Sequence, residues 1–279
     1  MHRFARILIA GLLTGSIFLS FPACSQKDTD HPPQLSSGGY SQDGTYTPPM
    51  PDVSDALAAA QKVNNEVVAW LVLPNTEVNE AVVQTTNNDF YLRKDIEKKY
   101  AYEGCYYMDY ESLMFDEGKN LARNTIIYGH NLGNPMGVKD DPTGVKFAQL
   151  FRLEEEQLAK QTPYVYLVTP AATHIFEIFA VSYCEAETSP IPYHYAEYSD
   201  KDFLTLVADM KARSLYTYDV SVSADDQILT LSTCSYKFGT YTQNPDQRFI
   251  VMGKLVKEGA TFHETAALRI NENPKQPSF

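Results

Sequence analysis

The sequence predicts a mainly β fold, a barrel or a sandwich, and three observations predict it. Eight short runs rich in β-branched and aromatic residues follow one another from Val67 onward. Clusters of Gly, Pro, Asn and Asp separate them. Few stretches carry helical spacing, so the runs must bury one another in packed sheets or a closed barrel. The runs are Val67 to Leu73, Ala81 to Gln84, Cys105 to Met108, Thr125 to Tyr128, Tyr164 to Val168, Ile175 to Ser182, Ile228 to Leu231 and Phe249 to Val256.

The elements around these runs read in order. Met1 to Arg6 is a short basic start without an acid, and Ile7 to Ala23 is an apolar run broken by small and hydroxyl residues and Pro22. Residues 1–24 therefore read as an export signal or a signal-anchor. Phe21-Pro-Ala-Cys24 resembles a bacterial lipoprotein signal, which makes Cys24 a candidate for lipidation; an uncleaved anchor is the alternative. Both predict a protein held at the outer face of the cytoplasmic membrane by its N-terminus. Residues 25–53 are polar and Pro-rich, a flexible linker that cannot bury a core. Ser54, as N-cap, opens a short helix that contains Leu57 and Ala58. Phe147, Leu150 and Phe151 form an apolar helical stripe before a charged run. Ser199 with Asp202 fits a capping box, and Phe203, Leu206, Val207 and Met210 repeat at helical spacing. Residues 54–260 are the folded domain, and 261–279 read as a mobile polar tail.

Composition narrows the function. The chain has 279 residues and a formal charge of −12; because Arg3 and Arg6 lie in the N-terminal segment, the part beyond it carries −14. No basic stripe is visible, which excludes nucleic acid as a partner. Four Cys are too few for a disulfide scaffold in a chain of this length. No Cys or His pair has metal-ligand spacing, and Asp140-Asp141 and Asp225-Asp226 read as turn acids, so neither metal nor cofactor is expected.

Three residues carry the chemistry. Cys234 ends a run as Thr230-Leu-Ser-Thr-Cys234, where a nucleophile is held by the sheet yet exposed at its rim. A thiol with a pKa of about 8.5 is mostly protonated at neutral pH and needs a base or a cation. His130 follows the run Thr125 to Tyr128 through Gly129, whose freedom allows a sharp exit over the sheet rim. Arg248 opens the next run after that of Cys234, and consecutive strands are often neighbours. It could then stabilise negative charge on a tetrahedral intermediate. Taken singly, each has an ordinary alternative: a small buried hydrophobe, a hydrogen-bonded surface His, a surface Arg.

Together, Asn124-Thr-Ile-Ile-Tyr-Gly-His-Asn131, Leu229-Thr-Leu-Ser-Thr-Cys234 and Arg248 resemble the sortases, cell-wall cysteine transpeptidases of Gram-positive bacteria. The resemblance runs from about Ser54 to Lys257, and the helix from Ser199 to Ser214 is similar to the extra helix of class B. It implies an eight-stranded β-barrel with an N-terminal helix and that extra helix before the nucleophile strand. It implies Cys234 as nucleophile, His130 as acid and base, and Arg248 at the oxyanion. It also implies peptide contacts from Asn88, Leu92, Thr188, Tyr193 and Ser232. The expected partners are exported proteins with a C-terminal sorting motif, cleaved at a Thr, and an amine of a peptidoglycan precursor or a pilin. Two departures bear on specificity: Ser235 stands where class B often has an acid, and fourteen residues lead from Cys234 to Arg248. A cysteine hydrolase and an inactive anchored binding module are the alternatives. The usual His-Gly-Cys of an L,D-transpeptidase is absent. Cys105 and Cys184 are expected as buried free thiols.

Overall fold

Each of the eight expected runs becomes a strand of one closed barrel. They are Val67–Val72 (β1), Asn79–Val83 (β2), Tyr106–Met108 (β3), Asn124–Tyr128 (β4), Tyr164–Val168 (β5), Thr173–Glu185 (β6), Ile228–Cys234 (β7) and Gln247–Leu255 (β8). The computed structural model describes residues 34–187 and 190–279. The order around the barrel is β5-β6-β8-β7-β4-β3-β2-β1, with β1 returning to β5. Two pairings are parallel, β2 with β3 and β4 with β7; the others are antiparallel.

Burial follows from this closure. Ala69, Leu71, Val82, Ile127, Leu167, Phe176, Leu229 and Val251 belong to one continuous buried cluster. A second cluster joins the helix Ser54–Val63 (α1), through Leu57 and Ala60, to Val67, Ala81, Tyr164 and Tyr166. Strand β6 shows how packing overrides alternation. Its burial alternates to Ile178 and then becomes continuous. The helix Asp200–Arg213 (α3) packs there and buries Phe203, Leu206 and Met210, and the Ser182 hydroxyl donates to Met210 O at 2.9 Å.

Several local expectations are corrected. Ser54 is not the cap but the first helical residue of α1; Val53 holds the cap position, because its side chain is buried and its carbonyl accepts from Leu57 N at 2.8 Å. The Phe147 stripe is a 3₁₀ helix, Phe147–Glu154, followed by a short α-helix, Glu156–Gln161 (α2). Six of its eight residues are buried, so it is enclosed on most sides rather than amphipathic. At α3, Ser199 accepts from Asp202 N as expected, and its hydroxyl also donates to the Asp202 carboxylate at 2.8 Å.

The N-terminal flank pairs with itself, and the C-terminal tail is tied to the domain. Within the stretch expected as linker, Gln34–Leu35 pairs with Pro51–Asp52 and Gly39–Tyr40 with Tyr46–Thr47. The tail is not free: Leu268–Ile270 pairs with Tyr216–Tyr218, Lys275 N donates to Ala212 O at 2.9 Å, and the Phe279 ring lies 5.7 Å from Phe238.

The N-terminal anchor is a further correction. The segment 1–24, with the lipidation candidate Cys24, lies outside the described residues. Among the described residues no helix is long and apolar enough to cross a membrane. The expected anchoring by the N-terminus at the outer membrane face, and the membrane as a partner, are therefore not supported.

A buried ionic cluster joins α3, β6 and the tail. Arg213 donates to Asp209 at 2.7 Å and to Glu185 at 2.9 Å, and Lys275 also reaches Asp209. Removing one partner of such a cluster strands charge in a low dielectric. Arg213→Ala is expected to lower the unfolding free energy by about 3–5 kcal/mol. Urea denaturation with the parent alongside measures this, and a loss below about 1 kcal/mol contradicts it.

Candidate active site

The two ladders of β7 assemble the site. On one side β7 pairs with β8 so that Cys234 lies directly opposite Arg248. Opposed antiparallel residues present their side chains to one face, with Cβ atoms about 4.5–5.5 Å apart. On the other side β7 runs parallel to β4, with Ser232 opposite Tyr128. His130 follows Tyr128 by two residues, as Cys234 follows Ser232. The attachment persists past the strand: Gly129 N donates to Ser232 O at 3.3 Å, and the Thr233 hydroxyl donates to Gly129 O at 2.7 Å.

Gly129 has a steric role that differs from the expected freedom to turn. Its φ is not positive; instead, a Cβ there would stand 2.8 Å from the rings of Phe147 and Tyr106. The close approach lets Phe147 N donate to His130 O at 2.9 Å and fixes the backbone that carries the imidazole.

The imidazole is oriented by one bond. His130 Nε2 lies 2.8 Å from Leu92 O. A carbonyl only accepts, so Nε2 carries the hydrogen and Nδ1 is left to exchange a proton. Burial pushes the His130 pKa below its ordinary value; the Leu92 bond opposes this, and the charges of Arg93 and Lys146 add to it. Arg248 responds in the opposite direction. Burial works against its charge, but Cys234 foremost, then Tyr193, Cys184 and Asp246, raise its pKa further. Its Nη1 donates to the carbonyls of Pro245 and Gln247, each at 2.8 Å.

Cys234, His130 and Arg248 all line one cleft of about 910 Å³. Four of the five residues expected at the peptide line it too: Asn88, Leu92, Tyr193 and Ser232. Thr188 lies outside the described residues. Asn88 is held by its side-chain bonds, donating to Asp109 at 2.8 Å and accepting from Tyr110 N at 3.1 Å. Tyr193 and Ser232 are buried and share a hydroxyl–hydroxyl bond of 2.9 Å, so they form the floor rather than a wall. Leu92 also has a task that the sequence reading did not assign, since its carbonyl orients His130.

Asn131 and Asp140 escaped the sequence reading. Asp140 is no mere turn acid: it accepts from Asn131 Nδ2 at 2.8 Å, Ser235 Oγ at 2.7 Å and Tyr236 N at 2.9 Å. Asp141 does fit the turn role, accepting from Asn134 N and Thr143 N. The one signal for Asp140 was chemical: Ser235, where an acid was expected, borrows one through space.

Cys105 and Cys184 are buried free thiols. Burial pushes the Cys105 pKa up to about 12 and raises that of Cys184 as well, which leaves both protonated and inert. Among the described residues no three His, Cys, Asp or Glu side chains are grouped to hold a metal ion.

Comparison with known proteins finds relatives in sequence and in fold. The sortase-domain family model matches residues 71–256. Sortase B of Listeria monocytogenes is 32% identical over 218 residues, which cover 78% of this chain and 80% of that protein. Sortase B of Staphylococcus aureus is 26% identical over 205 residues, 74% of this chain and 76% of that protein. The solved Staphylococcus aureus sortase B–substrate complex superposes with a TM-score of 0.61 at 24% identity, covering 74% of this chain and 87% of that one.

The His130 environment generates a test. A buried imidazole with a depressed pKa stabilises the fold while neutral; that contribution is complete above the unfolded value near 6.5 and is lost as pH falls through the folded value. NMR titration of the His130 ring is expected to give a midpoint below 6.5, moved upward by Arg93→Gln. A midpoint at or above 6.5 in the parent contradicts the assignment.

Proposed function

The chain belongs to the sortase family as a class B-like cysteine transpeptidase, and on that premise we propose that Cys234, His130 and Arg248 carry its reaction. The observation that supports this most is the convergence of all three on one cleft through the pairings of β7. The proposed catalytic domain spans residues 54–260.

The substrate is a protein bearing a C-terminal sorting motif, laid extended along the cleft against Asn88, Leu92, Tyr193 and Ser232, with Thr188 nearby in sequence. The sulfur of Cys234, as thiolate, attacks the carbonyl carbon of a Thr in the motif. Arg248, held by two backbone carbonyls, faces the charge that develops on the oxygen. His130, protonated at Nδ1, gives that proton to the departing amine as the peptide bond breaks and the thioester forms. Its lowered pKa makes the imidazolium a stronger acid for this step, at the cost of a smaller protonated fraction at neutral pH. An amine of a peptidoglycan precursor or a pilin then enters. Neutral His130 takes its proton, the new amide forms, and the thiolate leaves.

The sorting-motif peptide assay tests this. Cys234→Ala is expected to lower turnover by several orders of magnitude, and Arg248→Ala to lower kcat by about 10²–10³-fold. Product mass with and without an added amine separates transfer from hydrolysis. Undiminished cleavage by Cys234→Ala would sink the proposal.

A further inference from the structure

A nucleophile on the last residue of a strand has a mechanical weakness. Strand β7 ends at Cys234, and the chain then enters the loop that runs to Gln247. Beyond Cys234 the ladder supplies only the bond from Ser235 N to Gln247 O, at 3.1 Å. Strand ends fray unless another group holds them. Gln247 Oε1 accepts from Phe238 N at 2.6 Å further along the loop, and next to Cys234 a carboxylate from a different loop takes this part.

Asp140 contacts the chain on the carboxyl side of the nucleophile twice. Its Oδ1 accepts from Tyr236 N at 2.9 Å, and its Oδ2 accepts from Ser235 Oγ at 2.7 Å. Its Oδ1 also accepts from Asn131 Nδ2, and the same Nδ2 donates to Cys234 O at 3.0 Å. Asn131 directly follows His130. The bonds therefore close a ring through the peptide groups that follow Cys234 and the side-chain amide of the residue that follows His130.

The orientation of Asn131 is determined by chemistry. Asp140 Oδ1 and Cys234 O are both acceptors, so the NH₂ group must face them. The Asn131 Oδ1 is left buried with no hydrogen-bond partner. An unpaired buried acceptor costs free energy, so this orientation is kept because the bonds to Asp140 and Cys234 outweigh that cost. Bonds to an ionised carboxylate are among the stronger ones in proteins.

We propose that Asp140, acting through Asn131, is a positioning residue that holds the Cys234 end of β7 in register with His130. It touches no substrate. Its effect is on where the thiolate stands when the imidazole must deliver its proton. The inference rests on the reading of Cys234 as nucleophile and His130 as acid.

The test uses the full chain and two substitutions. Asp140→Asn keeps the size and part of the hydrogen bonding; Asp140→Ala removes it. The folded fraction of each variant is measured by circular dichroism, so that kcat refers to folded enzyme. Asp140→Ala is expected to lower kcat for a sorting-motif peptide by about 10- to 100-fold, the scale of a 1 Å misplacement, with KM within about 3-fold. Asp140→Asn falls between this and the parent. Cys234 alkylation by iodoacetamide, which needs no alignment with His130, stays within about 3-fold. Asn131→Ala behaves like Asp140→Ala, and the double variant loses no more than the larger single loss, as members of one network do. A kcat per folded enzyme within 2-fold of the parent in Asp140→Ala overturns the proposal, as does a loss explained wholly by unfolded protein. Amide exchange gives a second readout that needs no peptide: the Tyr236 amide is expected to exchange about 10-fold faster in Asp140→Ala. Unchanged exchange overturns the clamp. A parent enzyme that cleaves no peptide, but shows the exchange difference, would instead refute the reaction proposed above.

Discussion

The cleft depends on one strand having the right two neighbours. Strand β7 pairs in parallel with β4 and antiparallel with β8. The first ladder brings in a histidine more than a hundred residues earlier in the chain, and the second an arginine fourteen residues later. Because side chains on a strand alternate with period two, a slip of one residue in either ladder would turn a partner to the opposite face. Register is well specified here. Thr230 Oγ1 donates to Asn124 Oδ1 across the β7–β4 pair at 2.7 Å, and Leu229, Leu231, Ile127, Phe249 and Val251 are all buried. Those buried side chains therefore also set the chemistry at the rim.

The barrel was largely legible in the sequence, because its strands are short, rich in β-branched and aromatic residues, and separated by turn residues. The extra helix was equally plain, since Ser199 and the Phe203–Leu206–Met210 spacing are local signals. Errors arose where tertiary packing outweighed a local rule. Burial of Val53 moved the start of α1, and enclosure of the Phe147 segment wound it into a 3₁₀ helix. The tail reads as polar and unstructured, yet its Lys275 reaches Asp209 on α3, a partner more than sixty residues away that no window would reveal.

The candidate site was legible for a different reason. Cys234, His130 and Arg248 each sit next to a strand, and their order matches a family pattern; none would have been chosen from spacing alone. The supporting groups were not legible. Asp140 sits in a Gly-, Pro- and Asp-rich loop where acids usually make turns, and its neighbour Asp141 does that. Nothing local separates the two. The Leu92 carbonyl that orients His130 is invisible in sequence for a more basic reason: every residue has one.

Barrel closure also constrains how an extended peptide can be read. Many proteins capture such a peptide by β-augmentation, adding it as a further strand along an open sheet edge. Each of the eight barrel strands is paired on both sides over part of its length, so no strand is open along its whole edge. A peptide in the Cys234 cleft would instead meet side chains and loop backbone at the rim. Selectivity would then evolve by exchanging residues and loop lengths at the rim, such as the segment between Cys234 and Arg248, while the register beneath them stays unchanged.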